Sequence, residues 1–162
     1  MLEQIFHVPI VVIKSKAYLG GKSILNTGGK VVDFLVKNKV TSSVGLVEIK
    51  TPSSPLLGPE YRTGVYNVSQ ELTGAVQQAL CYRESLSRER LNLLTPTQLE
   101  VDVFDPFCVV LIGHTRREFG GDKAKVQAFE LYRQQFSDIE IVTYDEMFEK
   151  MSRLVLVFES GT

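Results

Sequence analysis

The residue pattern predicts an α/β fold, a mixed β-sheet flanked by helices. Three observations carry this. The first fifty residues hold three short runs rich in Val, Ile and Leu, separated by glycine pairs and a polar turn. A stretch of helical period follows at about 70–90, and the remainder reads strand, helix, strand, helix. That alternation places parallel strands side by side with helices across them.

Residues 10–18 (IVVIKSKAY) fit a first strand, and Gly20-Gly21 and Gly28-Gly29 mark turns, since glycine takes positive φ cheaply. Residues 31–37 (VVDFLVK) fit a second strand, Asn38-Lys39 a turn, and residues 44–50 (VGLVEIK) a third. Thr51-Pro52 ends the third strand, because proline has no N–H for the ladder. These three make an antiparallel meander. Residues 52–68, rich in Pro, Gly and Ser, read as a long loop. Ser69 suits a helix N-cap, and Leu72, Val76, Ala79, Leu80 and Leu86 then recur at helical spacing. The loop that follows runs through Thr95-Pro96-Thr97. Residues 107–113 (FCVVLIG) form an unbroken apolar run, as a strand buried on both faces requires. Helix over 121–136, strand over 138–143 and helix over 144–157 complete the chain.

The chain has 162 residues, 44% hydrophobic and 23% charged, which is ordinary for one domain and excludes disordered and fibrous classes. Cys81 and Cys108 stand in apolar surroundings with no CxxC spacing, so they are expected to be buried reduced thiols of a cytoplasmic protein. No apolar run reaches the roughly 20 residues of a membrane span. Residues 2–6 (LEQIF) read like the last turns of a helix, which predicts that residues 1–162 are a single domain, an N-terminally truncated fragment of a longer protein. The net charge of −1 weighs against a nucleic-acid partner, but the charge is unevenly spread. Residues 1–50 hold seven lysines against three acids, whereas residues 91–162 hold seven basic and twelve acidic residues.

The basic part also holds the candidate chemistry. Side chains alternate along a strand, so Glu48 and Lys50 point one way and Val47 and Ile49 the other. A solvated face, a cross-strand ion pair or a site each explain such a pair. Asp33 lies in an otherwise apolar strand, where an acid is costly unless paired or bound to metal. A hairpin turning between Val40 and Thr41 brings Asp33 near Glu48. Two facing carboxylates repel, and a divalent cation between them removes the repulsion. Asp33, Glu48 and the Ile49 backbone carbonyl are then the metal ligands, and oxygen donors select Mg²⁺ or Mn²⁺ over zinc. Lys50 would orient water and offset charge in phosphodiester hydrolysis. On the next helix, Gln78 and Tyr82 are four residues apart and share a face.

The QxxxY pattern after ExK resembles the RecB-like branch of the PD-(D/E)xK nucleases. A wider resemblance covers residues 10 to 150. AYLGGKSILNTGGKVVDFLVKN, VEIKTPSSPLL, YRTGVYNVSQELTGAVQQALCYRESL, VVLIGH and SDIEIVTYDEM resemble the nuclease domain of Shedu, a bacterial anti-phage defence family. The resemblance implies a restriction-endonuclease-like sheet and a Mg²⁺- or Mn²⁺-dependent DNA nuclease or nickase that assembles as a homo-oligomer. Asp33, Glu48, Lys50 and Gln78 align with its catalytic motifs. Glu3 is a poor match for the acid that many members of the superfamily carry on a helix before the first strand.

Lys30, Arg62, Tyr66, Ser69 and Tyr82 are candidates for contacts to DNA or to the site. Lys14, Lys16, Lys22 and Lys30 would form a basic rim that attracts a phosphate backbone. His114, Arg116 and Arg117 follow the apolar strand, where a structural role competes with phosphate binding. Three rival readings remain: a DNA-binding or oligomerisation module on the same fold, a RecB-like repair or restriction nuclease, and a domain in which Glu48 and Lys50 are merely an ion pair.

Overall fold

The structure is a computed structural model that describes residues 10–19, 30–94 and 102–160. The elements, in chain order, are β1 (Ile10–Leu19), β2 (Lys30–Asn38), β3 (Ser43–Ile49), β4 (Leu57–Arg62), β5 (Val65–Val68), α1 (Gln70–Leu94), β6 (Asp102–Leu111), α2 (Thr115–Phe119), α3 (Lys123–Arg133), β7 (Ile139–Val142) and α4 (Tyr144–Ser160). Five strands form one sheet in the order β1-β2-β3-β6-β7, and β4 and β5 form a separate hairpin. β1, β2 and β3 are antiparallel, while β6 runs parallel to β3 and β7 parallel to β6. This is the predicted mixed sheet flanked by helices, and it is compatible with a restriction-endonuclease-like fold. The glycine pairs at 20–21 and 28–29, Lys22, Glu3, residues 2–6 and the 95–97 turn lie outside the described residues.

Both faces of the sheet are covered, which is why the central strands are apolar throughout. Leu72, Ala75, Val76, Ala79 and Leu86 of α1 pack on Leu35, Val44, Leu46, Cys108 and Val110. Met147 of α4 closes the opposite face over Ile10, Val36, Val47, Val109, Leu111 and Val142. Each fully buried Leu, Val or Phe contributes about 1.5–3 kcal/mol. Ser69 caps α1 as expected, its hydroxyl oxygen accepting from the Leu72 amide at 3.0 Å. The FCVVLIG run lies mostly on β6, between β3 and β7, and Cys108, Val109, Val110, Leu111 and Ile112 are buried. Of the two free thiols, Cys108 is buried and pushed up to about 12 by burial, whereas Cys81 is only half-buried, because it stands on the flank of α1.

Three elements differ from the sequence expectation. The 52–68 segment contains the β4–β5 hairpin, turned at Thr63-Gly64 with Gly64 at φ 74. β6 begins at Asp102, five residues before the apolar run, and its register to β3 jumps between Ser43↔Asp102 and Gly45↔Phe107. Pro106 lies in that jump and cannot donate to a ladder; its carbonyl accepts from Arg83 Nε at 2.8 Å. A five-residue helix, α2, precedes the expected 121–136 helix, which is α3 alone. Gly120 and Gly121 adopt φ 55 and 86 and end α2, and Asp122 starts α3 by accepting from the Ala124 amide at 2.9 Å.

Asp145 ties α4 to α2. Its buried carboxylate accepts from the Thr115 amide at 3.0 Å, the Arg116 amide at 3.1 Å and the Thr115 hydroxyl. Burial opposes its ionisation, but these bonds and one from Thr143 outweigh that and hold the carboxyl well below the usual carboxylate range. The folded protein therefore holds this proton less tightly than the unfolded chain. The resulting stability is complete above the ordinary Asp value near pH 4 and drains away as pH falls below it. Asp145→Asn should cost about 1–3 kcal/mol at neutral pH and flatten the acid limb of stability. Urea midpoints from pH 7 down to pH 3 check both, and an unchanged acid limb would refute the assignment.

Candidate active site

The β2–β3 ladder pairs Phe34 with Val47, Leu35 with Leu46 and Lys37 with Val44. This is the register that brings Asp33 to Glu48. The turn between them is fastened by Asn38, whose side-chain oxygen accepts from the Val40 amide at 2.8 Å. Backbone pairing stops at Phe34, and Asp33 takes over with its side chain: Oδ2 accepts from the Ile49 amide at 2.9 Å. Oδ1 accepts from Lys16 Nζ of β1 at 2.6 Å.

On the α1 face, Glu48 is 4% exposed. Its Oε1 accepts from Lys50 Nζ at 2.9 Å and from Gln78 Nε2 at 2.8 Å. Lys50 also donates to Gln78 Oε1 at 3.3 Å, so the glutamine bridges acid and base. Gln78 Nε2 donates further to the Tyr82 hydroxyl at 3.1 Å, so one helix face carries both residues. Burial pushes the Glu48 carboxyl above its ordinary value despite the Lys50 bond and charge, and burial together with Glu48 pushes the Tyr82 phenol up.

Glu48 Oε2 is buried and has no hydrogen-bond partner among the described residues. An orphaned carboxylate oxygen is expensive, and it is what a site built for a cation leaves behind. The surrounding donors fit a hard divalent ion. The Ile49 amide faces β2, and a strand residue presents its N–H and C=O to the same neighbour; the Ile49 carbonyl therefore also faces the gap where the ladder has ended. Among the described residues no three His, Cys, Asp or Glu side chains cluster as a metal site. Two carboxylates and a carbonyl leave room for the waters and phosphate oxygens that Mg²⁺ keeps.

The remaining candidates lie elsewhere or are not described at the side chain. Arg62 and Tyr66 belong to the β4–β5 hairpin, with Arg62 over the Tyr61 ring at 5.4 Å and the Tyr66 ring under Lys125 at 5.6 Å. Lys30 opens β2 opposite Leu19, and its side chain lies outside the described residues. His114 caps α2, accepting from the Arg117 amide at 3.3 Å, and Arg116 pairs with Glu149 at 3.1 Å. Those are structural contacts. Two residues join the site that sequence reasoning passed over: Lys16, weighed only as part of a basic rim, and Tyr144. The Tyr144 hydroxyl donates to the Lys50 carbonyl at 2.8 Å, holding the end of β3 from α4.

This chain belongs to the Shedu family. The family described as Shedu protein SduA, C-terminal, matches residues 2–148. The Shedu protein SduA of Bacillus cereus (strain B4264) is 42% identical over 165 residues, covering 98% of this chain. The chain spans 43% of the length of that relative. Among the described residues, no helix is long and apolar enough to cross a membrane.

Proposed function

We propose that this domain is a divalent-metal-dependent DNA endonuclease or nickase of the PD-(D/E)xK type, acting in bacterial anti-phage defence. The observation that carries this is Glu48: one oxygen held by Lys50 and Gln78, the other buried and unpartnered beside the Asp33–Ile49 edge. A pair kept only for the fold gains nothing from a buried oxygen left without a partner. Family membership and the likeness to SduA support the same reading.

Asp33, Glu48 and the Ile49 carbonyl would hold Mg²⁺ or Mn²⁺. Such an ion, when bound, polarises a phosphate oxygen and lowers the pKa of a coordinated water. The chain's own groups do the rest. Hydrolysis adds one water across a P–O ester bond, and negative charge grows on the phosphorus oxygens as it proceeds. Lys50 Nζ has a third hydrogen beyond those given to Glu48 and Gln78, and with it orients water and offsets that charge. Gln78 fixes the distance between base and acid, and Tyr82 anchors Gln78. Tyr144 holds the main chain beneath Lys50.

The test is cleavage of linear and supercoiled DNA with Mg²⁺, Mn²⁺ or EDTA, beside Glu48→Ala and Lys50→Ala. Metal-dependent cutting lost in both variants is expected. Binding of DNA without any cutting would replace the nuclease with a binding module.

A further inference from the structure

Lys16 stands opposite Asp33 in the β1–β2 ladder, between the pairs Ser15↔Phe34 and Ala17↔Val32. Its backbone is left-handed, with φ 52. Such a conformation costs a non-glycine residue about 1–2 kcal/mol. Among the described non-glycine residues only Ser42 shares a positive φ, and Ser42 lies in the connection between β2 and β3, where it is ordinary. A strained residue in mid-strand persists only where its surroundings hold it, and such residues gather at functional sites. The hydrophobic effect does not explain this one, because the side chain is 72% exposed. Yet the side chain crosses to Asp33 and places Nζ 2.6 Å from Oδ1.

We propose that Lys16 is the resident counter-ion of the metal site: it neutralises Asp33 until a divalent cation takes that carboxylate, and is then released to a phosphate of the bound strand. This rests on the metal-site reading above. The placement agrees with it. Lys16 Nζ lies 2.6 Å from Asp33 Oδ1, and the β2–β3 register sets Asp33 opposite Glu48. Lys16 thus answers Asp33, as Lys50 answers Glu48. A divalent cation between the two acids removes the partner of Lys16, and an ammonium at the rim of the site is left with a donor set suited to phosphate oxygen.

The experiment is calorimetric titration of the purified protein with Mn²⁺, for wild type, Lys16→Met, Lys16→Gly and Lys16→Arg. Lys16→Gly suits the positive φ and so removes the backbone strain that Met and Arg keep. Met and Gly should bind Mn²⁺ at least threefold more tightly than wild type, and Arg should bind as wild type does. In a second arm, each protein is titrated with a short duplex in Ca²⁺ over a range of salt. The slope of log K against log salt should fall by about one when the charge is lost and be kept by Arg. If wild type binds no Mn²⁺, the metal-site reading itself fails. If wild type binds Mn²⁺ and the Met and Gly variants bind equally or less tightly, the counter-ion role is overturned and the metal site stands. An unchanged salt slope would overturn the release to phosphate.

Discussion

Glu48→Gln is expected to reduce cleavage by about a thousandfold or more, equivalent to about 4 kcal/mol of transition-state stabilisation, while leaving the domain folded. The variant keeps one carbonyl oxygen to accept from Lys50 and Gln78, the two donors on Oε1. What it loses is the negative charge on a buried oxygen that no described residue satisfies. A structural ion pair predicts the reverse: breaking a buried pair costs about 3–5 kcal/mol of stability, with no activity to lose.

Stability against pH separates the two further. Burial raises the Glu48 carboxyl above its ordinary value. The folded metal-free protein therefore holds this proton more tightly than the unfolded chain. Its contribution is fully present below the ordinary Glu value near 4.3 and is lost as pH rises through the raised folded value. Glu48→Gln has no such proton, so its urea midpoint should gain on that of wild type between pH 4 and 8. Added Mn²⁺ should then lift the wild-type midpoint and leave the variant's where it was. A variant that is equally destabilised at both ends of that range, and a wild type indifferent to Mn²⁺, would leave only the ion pair.

The hairpin that makes this site was legible because strand period and turn position are local. Once 31–37 and 44–50 are strands turning at Val40, Asp33 must meet Glu48, and period two puts Lys50 beside it. Gln78 and Tyr82 were legible for the same reason, one helical turn apart. The β4–β5 hairpin was not, since Gly58 and Pro59 interrupt its first strand and its outward side chains have no core to pattern against. The five-residue α2 is too short for periodicity to register, and Glu118 fixes it by accepting from the Leu56 and Leu57 amides more than sixty residues away. Tyr144 reaches Lys50 across 94 residues, and Lys16 reaches Asp33 through a backbone angle that no lysine announces. Long-range side-chain bonds and left-handed residues leave no periodic trace, so the edges of the site had to come from the structure.

Gly113→Ala should be the most damaging single methyl group in the described residues, costing about 3 kcal/mol or more, from about 1–2 kcal/mol of left-handed strain and a comparable packing penalty. Gly113 adopts φ 64, and a Cβ there would lie 2.6 Å from Leu56 Cδ2 and 2.9 Å from the Ser54 carbonyl oxygen. Leu56 is fully buried and the carbonyl is backbone, so neither yields cheaply. Two controls divide strain from crowding. Gly64→Ala carries the same kind of φ, 74, with nothing within 4 Å, and should lose only about 1 kcal/mol. Gly45→Ala has no positive φ and meets the Phe107 ring at 2.2 Å, and that half-buried ring can shift. The consequence at Gly113 extends beyond stability. Its amide donates to the Thr51 carbonyl at 3.1 Å and its carbonyl accepts from the Tyr144 amide at 3.0 Å. The same glycine thus joins the exit of β3, just past Lys50, to the start of α4, whose tyrosine holds the Lys50 carbonyl. Displacing it moves Lys50 relative to Glu48, so Gly113→Ala should lose activity even at temperatures where it stays folded. Thermal melts beside DNA cleavage at 15 °C measure the two effects separately, and a folded, fully active variant would show that the Gly113 junction does not position Lys50.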